Sequence, residues 1–305
     1  MNNKKRFSEK ITVTVGIPCF QAERNIKAIL KNLVKQREVF CKIEAIIVYC
    51  DGCSDSTAKR AREVRSSKIK IVDVKQNRGF ALSVKRLMEK SRSEVFVLLN
   101  DDIKIKSRRV IEELIRPFWG ERNLGMVGGR VMPLSPKTFI GKCVFVSTLA
   151  YDLAAVKFKD GRSYLTVDGK ILALKKVFYK SLVFEEDLMG NVDTFLYFEN
   201  SKQGRGYFYA RNAKVCYRLP ETISDFRNQE LRNRRTRNMM VKHFGELARK
   251  EFSEAKWSYY LSVVKVFLRY PLQSIIFKVF INRPFSESLT DGFYNWSRPS
   301  TTQTL

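Results

Sequence analysis

VFVLLNDDIKI, residues 95–105, sets the frame for the whole chain. Five apolar residues, Val95 to Leu99, run without interruption into two adjacent carboxylates, Asp101 and Asp102. A short unbroken apolar run reads as a strand buried on both faces, as in a parallel sheet covered by helices. Open α/β sheets take their ligands outside the carboxyl ends of the strands, where the two aspartates fall. Neighbouring carboxylates repel each other unless a cation sits between them, and hard oxygen ligands suit Mg²⁺ or Mn²⁺. A solvated Asp pair capping the following turn is the alternative reading of this segment.

Upstream, the same pattern recurs. Residues 12–17 alternate β-branched positions and stop at Pro18, which predicts a first strand ended by its proline. Residues 21–36 carry Ile26, Ile29, Leu30 and Leu33 at the spacing of an amphipathic helix. Residues 43–49 form a second apolar run, ending in Cys50-Asp51-Gly52-Cys53-Ser54-Asp55, where Ser54 or Asp55 can cap a helix over 56–65. A third strand is expected over 69–74, and Asn77-Arg78-Gly79 turns into a helix around 81–89. The βαβαβαβ order predicts a doubly wound, mostly parallel sheet flanked by helices.

Each of these strands ends on polar groups: Glu23 after the first, Asp51 after the second, Arg78 after the third, Asp101 and Asp102 after the fourth. No G-x-G-x-x-G follows the first strand and no G-x-x-x-x-G-K-[ST] occurs, which argues against a dinucleotide fingerprint or a P-loop. A carboxylate at a strand end can accept from a nucleobase N–H or a ribose hydroxyl, and a metal beside it can take a diphosphate. The combination points to a nucleotide-diphosphate ligand with a divalent metal.

With 305 residues, 44% of them hydrophobic, the chain is long enough for one α/β domain with an appendage. Lys and Arg number 57 against 31 Asp and Glu, and the resulting +26 calls for a polyanionic neighbour: nucleic acid, an anionic membrane face or a phosphorylated substrate. No basic block alternates with aromatic residues, so nucleic acid is not expected. The six cysteines are scattered, without the density of a disulfide scaffold. Cys50 and Cys53 form a lone C-x-x-C; a zinc site would need a second pair, and His243 is the only histidine. A redox pair is one reading, and reduced thiols in a cytosolic compartment are the simpler one. The basic N-terminus, MNNKKRFSEK, lacks the apolar core of a signal peptide.

PCFQAERNI (18–26), VYCDGCSDST (48–57), NRG (77–79) and LLNDDI (98–103) together resemble, in order and spacing, the successive motifs of family 2 glycosyltransferases of GT-A fold. The resemblance implies an inverting transferase that uses a UDP- or GDP-linked sugar with Mn²⁺ or Mg²⁺. It places Pro18, Phe20 and Glu23 at the base-binding edge, Asp51 on the base, Arg78 near the nucleotide, and Asp102, helped by Asp101, on the metal. The chain departs from the family pattern at Gln21 for Asn, at Cys50 for Asp, and at Asn100 for the first Asp of D-x-D.

Farther along, residues 125–131 (GMVGGRV) read as a strand whose glycines permit close approach. Residues 164–177 resemble the family's acceptor-side strands around a turn at Asp168-Gly169. GNVDTFL (190–196), followed by 206–209 and 213–215, is similar to the family segment that carries the general base, which the resemblance puts at Asp193. A competing register puts it at Glu186 or Asp187. An inverting displacement needs one carboxylate to take the acceptor hydroxyl's proton, while Asp193 also reads as the N-cap of the helix after it. QELRNRR (229–235) is similar to the Q-x-x-R-W signature of membrane-associated members, with Asn233 for Trp. Gln229 and Arg232 share a helix face, and the resemblance gives Gln229 the acceptor sugar and Arg232 the diphosphate.

Residues 257–281 hold two apolar segments split by Pro271, with Lys265, Arg269 and Lys278 among them. Neither reaches the ~20 residues of a spanning helix. A Pro-broken, aromatic and basic pair suits an anionic membrane–water interface, with packing on the catalytic domain or a second subunit as the alternative. The expected organisation is a GT-A catalytic domain over 1–245, then a C-terminal amphipathic, membrane-associating helical segment and polar tail over 246–305. The expected activity is sugar transfer to a lipid-linked or surface-polysaccharide acceptor at the cytoplasmic side of the cell membrane; homo-oligomerisation stays open. Two other readings are a nucleotidyltransferase, which would carry a Gly-rich basic loop after strand one, and a non-catalytic basic binding protein with a degenerate GT-A domain.

Overall fold

A computed structural model describes residues 10–184 and 192–281. Glu186 and Asp187, the competing positions for the base, lie outside the described residues, as does the tail from 282. Strands β1 (Ile11–Cys19), β2 (Cys41–Asp51), β3 (Ile69–Val74), β4 (Val95–Leu99), β5 (Ile103–Ile105), β6 (Leu124–Pro133), β7 (Ile171–Lys175) and β8 (Gly206–Tyr217) join in one sheet of order β3-β2-β1-β4-β7-β6-β8-β5. Between the first strands lie helices α1 (Ile26–Val34), α2 (Thr57–Arg62) and α3 (Phe80–Lys90). The short α4 (Val110–Ile115) and α5 (Pro117–Gly120) precede β6, and α6 (Phe139–Lys157) follows it. Then come α7 (Lys176–Tyr179), α8 (Val192–Lys202), α9 (Ile223–Phe244), α10 (Glu246–Arg269) and α11 (Pro271–Ile276).

The apolar run that opens the reading is buried along its whole length because β4 has a core on each face. Val95, Val97 and Leu99 join Val13, Val15 and Ile17 of β1 in the layer under α1, α2 and α4. Phe96 and Leu98 turn to the opposite layer, with Leu87 of α3, Leu196 and Phe198 of α8 and Met240 of α9. Alternate residues of one strand thus serve both cores. Gly16 on β1 makes room for the Phe96 ring, whose edge lies 2.6 Å from where a Cβ would stand. Gly125 and Gly128 of β6 give the expected close approach, to the side chains of Asn200 and Tyr207.

The parallel order holds for β1 with β2 and β4, β2 with β3, and β6 with β8; β7 runs antiparallel to both β4 and β6, and β5 antiparallel to β8. Three expectations need correction. The first strand does not stop at Pro18 but continues through it to Cys19. The ladder with β4 has already ended at Gly16, so the missing N–H is tolerated on that side. Residues 164–166 form a single 3₁₀ turn instead of a strand. The Thr166 hydroxyl is spent locally, 2.6 Å from the Gly161 carbonyl and 3.1 Å from that of Ser163, which closes the chain into a turn. Residues 206–217 are one strand, bulged where its register with β6 jumps from Ala210 to Lys214.

A further long helix, α6, had no counterpart in the sequence reading. Its stretch Phe139–Gly161 is, by length and composition only, apolar enough to cross a membrane. In the fold it packs against α10, through Val146, Ala150 and Val266, and against the end of α11 and the turn beyond it. Partners on several sides explain why no amphipathic period marks it.

Candidate active site

The first group of site residues gathers at the carboxyl ends of β1, β2 and β3. Asp51 ends β2 fully buried, and its carboxylate accepts the N–H groups of Arg78 (3.1 Å to each oxygen) and Gly79 (2.8 Å). Burial pushes its pKa up, and those N–H groups and the Arg78 charge pull against the rise. Asn77 adds its own side-chain bond to the Gly79 N–H, 3.0 Å, so N-R-G is a loop built around Asp51. Gly52, at φ +66°, turns the chain beneath that loop, where a Cβ would meet the Asn77 backbone. The Arg78 side chain is exposed.

Gln21, itself at φ 53°, accepts from the N–H groups of Ser54 (3.1 Å) and Asp55 (3.2 Å). Glu23 accepts from Ser56 N–H at 3.0 Å, and Asp55 accepts from Glu23 N–H at 3.1 Å and Thr57 N–H at 3.0 Å. These bonds knit the β1 and β2 turns into one edge, with Pro18 buried and Phe20 half-buried along it. Cys50 and Cys53 lie in the same turns as free thiols. Their mutual hydrogen bond draws the Cys53 thiol down and pushes Cys50 up. His243 packs edge-on between Phe195 and Phe244 and takes the role of a core aromatic.

The two aspartates after β4 part company. Asp101 is fully buried and accepts the Phe20 N–H at 3.1 Å, tying the end of β4 to the turn after β1. Asp101→Ala is therefore expected to cost about 1–3 kcal/mol of stability by orphaning a buried donor, read as a lowered denaturation midpoint with metal dependence retained. Asp102 points elsewhere. Its Oδ1, and Oδ1 of Asn100, are buried side-chain oxygens without a hydrogen-bond partner. Such orphaned acceptors at a strand end are what a cation would satisfy. Among the described residues no group of three or more His, Cys, Asp or Glu is placed to hold a metal. A divalent ion at Asp102 would accordingly draw its other ligands from water and substrate phosphate, as Mg²⁺ and Mn²⁺ sites commonly do.

The antiparallel pairing of β7 on β4 brings the second group together. Leu99 sits opposite Ile171, and Asn100 N–H donates to the Lys170 carbonyl at 3.3 Å, so Asp168-Gly169-Lys170 lies beside Asn100-Asp101-Asp102. Lys170 Nζ is 3.3 Å from Asp168 Oδ1 and stands 4.6 Å from the centre of the Tyr217 ring. Burial opposes its charge, yet Asp168, Asp102, Tyr217 and Asp193 outweigh burial and hold its pKa above the usual lysine value. Gly169 N–H donates to Asp193 Oδ2 at 2.8 Å, and Thr194 N–H to Asp193 Oδ1 at 2.7 Å. Asp193 lies inside the first turn of α8, which begins at Val192, so it is not the N-cap that the sequence suggested; its carboxylate turns back to the Gly169 N–H.

Burial first, and then the neighbouring Asp168 charge, push the Asp193 pKa up against the pull of those N–H groups and Lys170. Burial raises Asp102 as well, with Lys170 and Arg232 opposing the rise. Arg232, exposed on α9, exerts its charge on both Asp102 and Asp193. Gln229 is half-buried one turn before it.

Sequence reasoning missed Lys170 and the functional weight of Asp168, which it took only as a turn residue. It also missed Asp152, on α6, whose carboxyl is pushed up to about 6 by burial, with Arg130 opposing and Asp168 adding to the rise. Tyr151, its neighbour, comes under the charges of Asp168 and Asp193 as well. No local pattern marks these residues. The β4–β7 pairing that brings Asp168 and Lys170 to the end of β4 joins residues 72 to 80 positions apart.

Among solved structures, a mannosyltransferase from Pyrobaculum calidifontis in complex with GDP-Man and Mn²⁺ shares this fold with a TM-score of 0.64, at 13% identity over 86% of this chain and 76% of that one. Glucosyl-3-phosphoglycerate synthase from Mycobacterium tuberculosis, solved with Mn²⁺, UDP and phosphoglyceric acid, matches with a TM-score of 0.51 at 14% identity, over 82% of this chain and 78% of that one. No curated protein matches the sequence. The family model described as glycosyl transferase family 2 matches residues 14–175, more than half of the chain. With that match over a GT-A-type sheet, the chain belongs to glycosyl transferase family 2 and is a glycosyltransferase.

Proposed function

We propose that this enzyme moves a sugar, with inversion, from a UDP- or GDP-linked donor to a hydroxyl of a glycan or lipid-linked acceptor, with Asp193 as general base. The observation that carries the reading is the convergence, at the carboxyl end of β4, of an unpartnered Asp102 oxygen with the Lys170 and Arg232 cations and the Asp193 carboxylate. Pro18, Phe20, Glu23, Asp51 and Arg78 form the neighbouring edge for the nucleoside, held in place through Asp101.

Asp193 accepts the acceptor's hydroxyl proton while that oxygen attacks the anomeric carbon. The anomeric C–O bond breaks at the same time, and the diphosphate departs with the electron pair. Lys170 and Arg232 supply positive charge where the leaving group's negative charge accumulates. A divalent ion held by Asp102, with Asn100 beside it, would neutralise further charge on the diphosphate. Gln229, one turn from Arg232 on α9, is assigned to the acceptor sugar by the same reading.

A raised pKa makes Asp193 a stronger base at neutral pH, at the cost of protonation over a wider acid range. The acid limb of kcat/KM is therefore expected above the ordinary Asp value of about 3.9. Removing the Asp168 charge lowers the Asp193 pKa, so Asp168→Asn is expected to move that limb to lower pH. An acid limb that does not respond to Asp168→Asn would contradict the assignment. The transfer reading itself is tested by nucleoside diphosphate release from a panel of UDP- and GDP-sugars, with Mn²⁺ or Mg²⁺, and by the anomeric configuration of the product. Release from one donor class with inverted product is expected. Retained configuration would refute the single displacement, and release of pyrophosphate would favour a nucleotidyltransferase.

A further inference from the structure

The C-terminal helices are seated on the catalytic body by one side only. Val266 of α10 is buried against Val146 and Ala150 of α6, and Phe277 beyond α11 packs edge-on against Phe226 of α9, 5.2 Å between ring centres. The other side is apolar and exposed among the described residues. Leu261 (73% exposed), Val264 (59%) and Leu268 (76%) repeat on α10 at helical spacing, and Leu272 (59%) and Ile275 (47%) extend the face past the break at Pro271. Monomeric soluble proteins rarely expose a contiguous apolar patch beyond a few hundred Å².

Charge says what fits there. Lys265, Arg269 and Lys278 are exposed on the same segment, and residues 259–281 contain no Asp or Glu. The whole chain carries +26. A two-fold contact between copies would bring two such unneutralised basic sets together. Leucine side chains flanked by snorkelling Lys and Arg match a bilayer surface with anionic headgroups.

We propose that the α10–α11 face docks this enzyme on an anionic lipid bilayer, lying in the interface without crossing it. The helix that α10 grips, α6, also carries Tyr151, which comes under the charge of Asp193, and Asp152, which comes under that of Asp168. Docking would bring the enzyme to the surface where a lipid-linked acceptor presents its sugar; this consequence rests on the transfer reading above.

The test is flotation of the full chain with vesicles of phosphatidylcholine alone or with about a third phosphatidylglycerol, alongside light scattering without lipid and nucleoside diphosphate titration of every variant. The intact protein is expected to float with the anionic vesicles only, and to be released by salt. Leu261→Ser with Leu268→Ser is expected to weaken partitioning by about tenfold or more, and Lys265→Glu with Arg269→Glu to abolish the preference for anionic lipid, both with nucleotide binding unchanged. Failure to float with anionic vesicles, or equal binding to neutral ones, would overturn the proposal. So would a dimer in solution that the leucine variants dissociate, since the face would then belong to a second copy. Loss of nucleotide binding in the unmodified protein would count against the transfer reading and leave the docking result standing.

Discussion

Asp102→Ala is expected to abolish metal-dependent binding of the nucleoside diphosphate and to cut transfer by about a hundredfold or more, the equivalent of several kcal/mol of charge stabilisation. The fold should survive the change. Burial holds the Asp102 pKa above its unfolded value, so the folded state binds the extra proton between the unfolded and the folded pKa. Stability contributed by that proton is lost as pH rises through this window, and at neutral pH the carboxylate is a net cost to the fold. Removing it therefore leaves the denaturation midpoint unchanged or raised while function is lost, the pattern of a residue kept for chemistry. Calorimetry with and without Mn²⁺, together with a urea denaturation curve, checks both halves. A variant that still binds nucleotide only when Mn²⁺ is present would move the metal away from Asp102.

Asp193→Asn is expected to keep donor binding and lose transfer by roughly 10²–10⁴-fold, the range that general bases contribute. The amide oxygen can still accept from Gly169 N–H, 2.8 Å away in the present geometry, so the turn beside Asp102 stays in place. What disappears is the proton acceptor. The discriminating readout is kcat falling with little change in donor KM. Normal transfer by this variant would move the base elsewhere, with Glu186 or Asp187 next in line.

Much of this site was legible in the sequence because its first half is built of short-range units. The inner parts of β2 and β4 are buried on both faces, so each appears as an apolar run, and the polar residues ending the run fall at the carboxyl edge of the sheet. Asp51 and the Asp101-Asp102 pair could be placed at that edge on this basis alone. The separate duties of Asp101 and Asp102 could not, since which carboxylate turns back to Phe20 N–H depends on the turn after Leu99. Lys170 and Asp168 were invisible as site residues for a different reason. Their position comes from β7 inserting antiparallel beside β4, a pairing that carries no local signature. The bulge in β8 merged two expected segments into one strand in the same way, by register with β6. For α6, packing partners on more than one side removed the period that would have announced a helix.

The central claim is that residues at the carboxyl ends of β1, β2 and β4 form a metal-assisted site for a nucleotide-diphospho-sugar. Calorimetric titration of UDP and GDP into the full chain, each with Mn²⁺, with Mg²⁺ and with chelator, tests it most directly. One of the two nucleotides is expected to bind with a divalent ion present, and chelator to abolish this binding. Absence of binding by both nucleotides under every condition would contradict it, and would leave the carboxylates of β4 and α8 as remnants in a basic binding protein.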